Sequence, residues 1–290
     1  MNLVVGATGT LGTEICRFMR SEGRPMRALV RSASDPTKVA KLEGLGVQVV
    51  RGDMKERQSL DAACRGISAV LSTASSFVSR QEGDSIRSVD LEGQVSLIEA
   101  AEAAGVHHFV FVSFPPIEIE FPLQSAKRAV ERRLKDGEMT YTVLQPTFFT
   151  EAWLSSSLGF DAAGATVRLY GTGENKISWI SYRDVARFVA ASVDNPAARN
   201  AVIKLGGPEA LSPREVVRIF EAIAGRRFDI KCVPEDSLRT QQQTATDAFQ
   251  QSSAALVLYY ARGEVIDMQE TLRKFPGRLV SVREYARAGA

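Results

Sequence analysis

Gly6-Ala7-Thr8-Gly9-Thr10-Leu11-Gly12 decides the reading of this 290-residue chain. The apolar Leu3-Val4-Val5 runs straight into it, and a helix-like pattern opens at Leu11. Glycine permits the tight turn at a strand end and lets a diphosphate come close to the backbone. The helix that follows offers free N–H groups and the positive end of its dipole. A glycine triplet alone is a weak sign. With a strand before it and a helix after it, at the head of a strand–helix series, it points to a dinucleotide-binding loop. Gly6, Thr8, Gly9, Thr10, Leu11 and Gly12 would lie against the diphosphate.

The series itself extends through the first half of the chain. Apolar runs at 3–5, 27–30, 47–50, 69–72, 109–112 and 140–144 read as buried strands. Helix-length segments at 11–21, 38–45, 59–64, 86–104 and 125–135 separate them. This alternation predicts parallel strands joined by right-handed crossovers, a doubly wound α/β sheet with ligands at the carboxyl ends of its strands. After about residue 150 the rhythm changes. Residues 168–170 and 176–180 read as short strands, and 183–193 as a helix capped by Asp184. Ser212-Pro213-Arg214-Glu215 is a capping box with proline at the first helical position, and Ser281-Val282-Arg283-Glu284 repeats the capping signal. Residues 240–253, rich in Gln, Thr and Ala, read as one helix lying over another element. We expect a dinucleotide-binding domain at 1–154, with 177–204 returning to it, and a smaller α/β substrate-binding part at 155–290.

Composition narrows the function classes. Hydrophobic residues at 44% and charged residues at 24% suit a folded globular protein and exclude a disordered chain, a collagen-like repeat or a coiled coil. A net charge of +2 supplies no global attraction to nucleic acid, and no helix-turn-helix pattern emerges, so direct nucleic-acid binding is not expected. No apolar run approaches the roughly 20 residues of a membrane helix. Met1-Asn2 leads directly into the first strand rather than into a basic, long apolar leader. Cys16, Cys64 and Cys232 are odd in number and widely scattered; they read as reduced thiols, which suits a cytoplasmic protein. The histidines, His107 and His108, are adjacent and leave little for a His-based triad or a zinc site.

The strand ends carry the next layer of information. An acidic residue at the end of the second strand serves the adenosine ribose of NAD. Here Arg31-Ser32 stands there. Arg31 suits a 2′-phosphate, with Ser32 as a donor and Lys38 nearby, so NADP(H) is the expected cofactor; the plainer reading of Arg31 is a solvated loop charge. Asp53 ends the third strand and either accepts from an adenine amine or holds a turn or helix start. Thr73, Ala74 and Ser75 end the fourth strand, where small residues let a cofactor lie close. Ser113 ends the fifth and either holds an oxygen of substrate or ribose, or forms a turn.

Lys127 is the unusual residue. On a helix it falls within the stripe of Leu123, Ala126, Val130 and Leu134, while Arg128, Arg132 and Lys135 spread over the solvent side. An ammonium on a buried face needs a partner, and ribose hydroxyls or a substrate oxygen could supply one. Otherwise it snorkels to the helix edge.

Taken in order, several segments resemble the NmrA-like branch of the short-chain dehydrogenase/reductase superfamily. They are the glycine loop with Arg31 and Gly52-Asp53, Asp90 and Gly93 within 85–105, residues 110–113, Leu144-Gln145-Pro146-Thr147, Gly171-Thr172-Gly173, and Ile180-Ser181-Tyr182-Arg183-Asp184-Val185-Ala186. The resemblance covers most of the chain and is weakest at 240–268. It implies an NAD(P)-binding Rossmann domain followed by a smaller substrate domain. The family includes NADPH reductases of quinones and plant phenylpropanoids, non-enzymatic dinucleotide-binding redox sensors, and members acting in photosynthetic-complex assembly. The resemblance also places the nicotinamide amide against the backbone at Pro146, Thr147 and Phe148; Phe148, Phe149 and Trp153 then offer flat apolar walls, or else belong to the core. Ordinary members carry a Tyr four residues before a Lys. Lys127 matches the Lys, but Leu123 stands in the place of the Tyr.

The expected activity is hydride transfer from NADPH to a small-molecule acceptor such as a quinone, enone or aromatic carbonyl. Lys127 would anchor the ribose and assist the proton, and Ser113 would hold an oxygen. The alternative is a non-enzymatic NADP(H)-binding redox sensor acting on a regulatory protein partner. A sugar-nucleotide epimerase ranks last, since it needs the Tyr and an acidic residue for NAD. Residues 240–268 are expected to shape the substrate pocket.

Overall fold

A computed structural model describes residues 1–77 and 80–289. In chain order the first elements are β1 (Asn2–Val5), α1 (Thr10–Ser21), β2 (Met26–Val30), α2 (Pro36–Gly44), β3 (Gln48–Arg51), α3 (Arg57–Cys64) and β4 (Ala69–Ser72). A π-helical segment, Ile86–Gly93, runs directly into α4 (Gln94–Ala103). Then come β5 (His108–Val112), α5 (Pro122–Lys135) and β6 (Thr140–Pro146). The remainder comprises α6 (Thr150–Trp153), β7 (Phe160–Asp161), β8 (Thr166–Tyr170), β9 (Ile177–Ser178), α7 (Tyr182–Asp194), β10 (Ala201–Leu205), β11 (Ala210–Leu211), α8 (Pro213–Ala224), β12 (Asp229–Val233), α9 (Glu235–Thr244), α10 (Ala248–Arg262), α11 (Gln269–Lys274) and α12 (Val282–Ala288).

Among the described residues the main sheet has the order β3-β2-β1-β4-β5-β6-β10, and the pairings from β3 through β6 are all parallel. The expected doubly wound parallel sheet is therefore observed. The apolar runs become strands because both faces are covered: β1, β4 and β5 are buried at every residue. Strand order reverses between β1 and β4, which pair Val5 with Ser72 at their carboxyl ends. That reversal is the switch point at which open α/β sheets bind ligands.

The chain divides into two compact units. One holds Met1–Phe114, Pro122–Gln145 and Val185–Ile203. Its core joins strand residues Leu3, Val70 and Phe109 to Leu60, Leu97 and Val130 of the flanking helices. The other holds Pro115–Phe121, Pro146–Asp184 and Lys204–Ala290. In it β12 pairs parallel with β8, β7 pairs antiparallel with β8, and β11 pairs antiparallel with β9. No helix among the described residues is long and apolar enough to cross a membrane.

Three local readings need correction. The segment 240–253 is not one helix: α9 ends at Thr244, Ala245 turns extended, and Asp247 starts α10 by accepting the N–H groups of Phe249 and Gln250, each at 2.9 Å. Asp184 is not the cap of α7 but its third residue. The Ser181 hydroxyl accepts from the Asp184 N–H and donates to its carboxylate, which also accepts from the Val280 N–H. The stretch 86–104 is helical as far as Ala103, but its first eight residues are π-helical rather than α-helical.

Candidate dinucleotide site

The loop after β1 is closed by its own backbone. The Gly9 N–H donates to Gly6 O at 3.0 Å, and the Thr13 hydroxyl donates to Ala7 O at 3.0 Å. Gly6 has φ +88°, and a Cβ there would stand 2.7 Å from Thr73 Oγ1 and 2.8 Å from Ala74 N, at the end of β4. A Cβ at Gly12 would clash with Gly6 O and lie 2.7 Å from Ala7 Cα. The loop can take this shape only with glycine at these two positions. Gly9 precedes α1 without any side-chain cap, so Thr10, Leu11 and Gly12 open the helix with the orphan N–H groups of a first turn. Thr8, Gly9 and Thr10 are partly or fully exposed, while Leu11 anchors the helix in the core.

Thr73, Ala74 and Ser75 stand beside this loop, each half-buried. The Thr73 N–H donates to Val5 O at 2.9 Å, extending the β1–β4 pairing by one bond. The strand end is fixed by Gln94, whose amide accepts from the Ser72 hydroxyl and donates to Ala74 O. Asp90, four residues earlier on the π-helical segment, accepts from the N–H (3.0 Å) and the hydroxyl (2.6 Å) of Ser76 through Oδ2. Its Oδ1 is buried and has no hydrogen-bond partner among the described residues. π-Helical insertions recur at functional sites because the extra residue re-aims side chains. Here the insertion brings Asp90 and Gln94 to the same strand end, and no period in the sequence announced it.

Lys127 is buried, 5% exposed, with Leu123, Ala126, Val130 and Leu134 around it on α5. It does not snorkel. Its Nζ donates to Val112 O at 3.2 Å, the carboxyl end of β5, and lies 4.7 Å from the Phe111 ring centre. Burial pushes the ammonium below its ordinary value, the charges of Asp90 and Glu131 work against that, and Arg128 adds to it. Leu123, four residues earlier, is buried as well and carries no proton.

Arg128 departs from the expected solvent side. It is only 19% exposed, donates to Ser113 Oγ at 2.9 Å and to Phe114 O at 2.5 Å, and pairs with Glu131 at 3.1 Å. Ser113, 7% exposed, therefore has its hydroxyl engaged by a cation next along the helix from Lys127. The helical wheel missed this because a long side chain can wrap from the flank of a helix to a strand end.

At the other edge of the same unit, Arg31 and Ser32 follow β2. Arg31 is ion-paired with Asp84 (2.5 Å), and Asp84 is paired in turn with Lys55 (2.7 Å). Burial acts to raise the Asp84 carboxyl, but the Lys55 hydrogen bond, the Gln81 N–H and the two cations bring it below its ordinary value. Asp53 holds a turn: its Oδ1 accepts from the Lys55 N–H at 2.9 Å. The helix α3 starts later, at Arg57. Lys55 and Asp84 were not singled out in the sequence; only the folded loops bring them to Arg31.

In the second unit Pro146 closes β6, the Thr147 N–H donates to Leu205 O at 2.9 Å, and its hydroxyl donates to Ser178 O. The Phe148 ring is 4% exposed and packs on Trp153, Tyr259 and Tyr260 at 4.9–5.5 Å between centres. Phe149 stacks on Tyr182 at 4.3 Å. Burial, and then Glu151, push the Tyr182 hydroxyl up to about 12. Tyr170 donates to Leu158 O at 3.2 Å.

A family model for the NmrA-like family matches residues 2–269. The chain belongs to the NmrA-like family. It is 33% identical over 228 residues to an NAD(P)H azoreductase of Xenophilus azovorans, covering 78% of this chain and 74% of that protein. It is 29% identical over 235 residues to the photosystem II assembly factor Ycf39 of Trieres chinensis, covering 80% and 72%. Among solved structures, an NADPH-dependent quinone oxidoreductase from Escherichia coli, complexed with NADPH, superposes with a TM-score of 0.75 over 99% of both chains at 20% identity. The family match thus runs through both units and past the break at 245–247.

Proposed function

We propose that this NmrA-like protein is an NADP(H)-dependent reductase acting on a small acceptor, with quinones favoured over enones and aromatic carbonyls. The observation that carries this reading is Lys127: a buried ammonium held at the carboxyl end of β5, in the same unit as a glycine loop that a single Cβ would fill. The residues fit the cofactor. Gly6, Thr8, Gly9, Thr10, Leu11 and Gly12 would hold the diphosphate on the first turn of α1. Arg31, with Ser32, would read the 2′-phosphate, Asp53 would face the adenine, and Thr73, Ala74 and Ser75 would let the cofactor lie against the sheet. Pro146, Thr147 and Phe148 remain the segment proposed for the nicotinamide amide, through backbone groups since the Phe148 ring is packed away.

Bound NADPH supplies a hydride from nicotinamide C4. Lys127 has three N–H donors and spends one on Val112 O, which leaves donors for a ribose hydroxyl. Its lowered proton affinity brings the ammonium nearer to the range where it can pass a proton at Nζ, directly or through water. Ser113, with its hydroxyl held by Arg128, positions an oxygen rather than moving a proton. With Leu123 in place of a tyrosine, acceptors that take hydride without a strong general acid suit the site best. The similarity to an azoreductase supports the reductase reading. The buried thiols of Cys16 and Cys64 suit a reducing, cytoplasmic setting.

A second reading rests on Leu123 and on the similarity to assembly factors: a protein that binds NADP(H) and acts on a protein partner without turnover. One experiment separates them. The protein is incubated with NADPH and a panel of quinones while cofactor absorbance is followed. Turnover supports the reductase; tight NADPH binding with no oxidation across the panel supports the binding protein.

A further inference from the structure

The ion cluster at the β2 edge has the form of an anion site already filled by the chain's own anion. Arg31 stands at the tip of β2, and Lys55 follows β3, its neighbour in the sheet, where Val30 pairs with Arg51. Asp84 comes from the loop after β4, 53 residues from Arg31, and its side chain is 1% exposed. Its two oxygens are divided between the cations: Oδ2 to Arg31 Nη1 at 2.5 Å and Oδ1 to Lys55 Nζ at 2.7 Å. The carboxylate is held in a local turn, in which the Asp84 N–H donates to Gln81 O and the Gln81 N–H donates back to Oδ2 at 2.9 Å. The turn is fastened beside Arg31 by the Gln81 amide, which donates to Ala33 O at 3.2 Å.

Two cations from adjacent strand ends converge on one anion at the edge where an adenosine ribose would lie. A phosphate has more charge and more acceptor oxygens than a carboxylate and can engage both cations at once. A carboxylate left between them would repel it. We propose that Asp84 occupies the place of the adenosine 2′-phosphate between Arg31 and Lys55, that Lys55 is the second cation to read that phosphate, and that the need to displace Asp84 limits the preference for NADPH over NADH. The proposal rests on the reading of Arg31 as the 2′-phosphate residue. NADPH must break two ion pairs to bind, and NADH leaves both intact. Asp84 therefore narrows a preference that the two cations alone would make wider.

The test is equilibrium titration of the full chain with NADPH, NADH, 2′-phospho-AMP and AMP. Asp84→Asn keeps an oxygen for the Gln81 N–H and removes the charge. It is expected to tighten NADPH and 2′-phospho-AMP by on the order of fivefold, with NADH and AMP unchanged. Lys55→Met is expected to weaken the phosphorylated ligands by about tenfold and spare the others. In the parent protein, hydrogen exchange at residues 81–84 should speed up on adding NADPH and not on adding NADH, a readout that needs no variant to fold. Weaker NADPH binding by Asp84→Asn would show that Asp84 is a strut aiming Arg31 and would overturn the proposal. So would unchanged affinities in both variants, or protection of 81–84 by NADPH. Arg31→Ala tests the underlying reading separately: equal losses for NADPH and NADH would refute that reading, whereas a loss confined to NADPH alongside silent Asp84 and Lys55 variants would refute only the competition.

Discussion

Lys127→Met separates chemistry from binding and binding from packing. Methionine keeps most of the stem's bulk against Leu123 and Val130 and removes the charge that the fold buries. Stability should rise, with a defined pH dependence. Burial lowers the native-state proton affinity of Lys127, whereas the unfolded chain titrates at the ordinary 10.5. Between the two values the unfolded chain binds more protons, so parent stability climbs as pH rises through that window and is lowest below it. The stabilisation by methionine should be fullest below the native-state value and should fade as pH approaches 10.5. Loss of one charge-assisted bond to a ribose hydroxyl would cost roughly 1.5–3 kcal/mol, or about ten- to 150-fold in NADPH affinity. If Lys127 also moves the proton, turnover at saturating NADPH should fall by a further ~10²-fold, and the pH–rate profile should lose one limb. The assays are chemical denaturation across pH, NADPH titration, and steady-state quinone reduction. A variant that reduces quinones like the parent at saturating NADPH would refute the chemical role and leave solvent as the proton source.

Three further outcomes follow from the geometry. Gly12→Ala should abolish NADPH binding and lower the thermal midpoint, because its Cβ meets the Gly6 carbonyl and Ala7 Cα; a fully active alanine variant would show that the loop can shift. Asp90→Asn keeps an acceptor for Ser76 but removes the carboxylate whose charge raises Lys127, so the pH–rate limb assigned to Lys127 should move to lower pH; an unmoved limb would detach Asp90 from Lys127. Asp247→Ala removes the cap of α10 and should cost about 1 kcal/mol, with faster hydrogen exchange concentrated at the first turn of that helix; an unchanged exchange pattern would mean that packing of Leu258 and Ala261 alone holds it.

The sequence by itself determined the sheet and the loop at its head. Strand and helix periods are local, so alternating apolar runs name the buried strands, and Leu123, Val130 and Leu134 name the face that takes Lys127 inside. Gly6 and Gly12 are likewise legible, since a close backbone approach next to a strand end tolerates little else. Tertiary structure decided who meets these residues. Asp84 reaches Arg31 only because residues 81–84 lie beside the ends of β2 and β3; Gln94 and Asp90 reach the end of β4 because a π-helical stretch shifts the phase of the helix before α4. Arg128 turns from the solvent side to Ser113 because the hydroxyl at that strand end and the Phe114 carbonyl lie within its reach. Each of these pairs is distant or out of phase in sequence, and its energy depends on which loop returns to which strand end. Local periodicity encodes which face of an element is buried; the identity of the partner across a strand end exists only once the chain has closed around it.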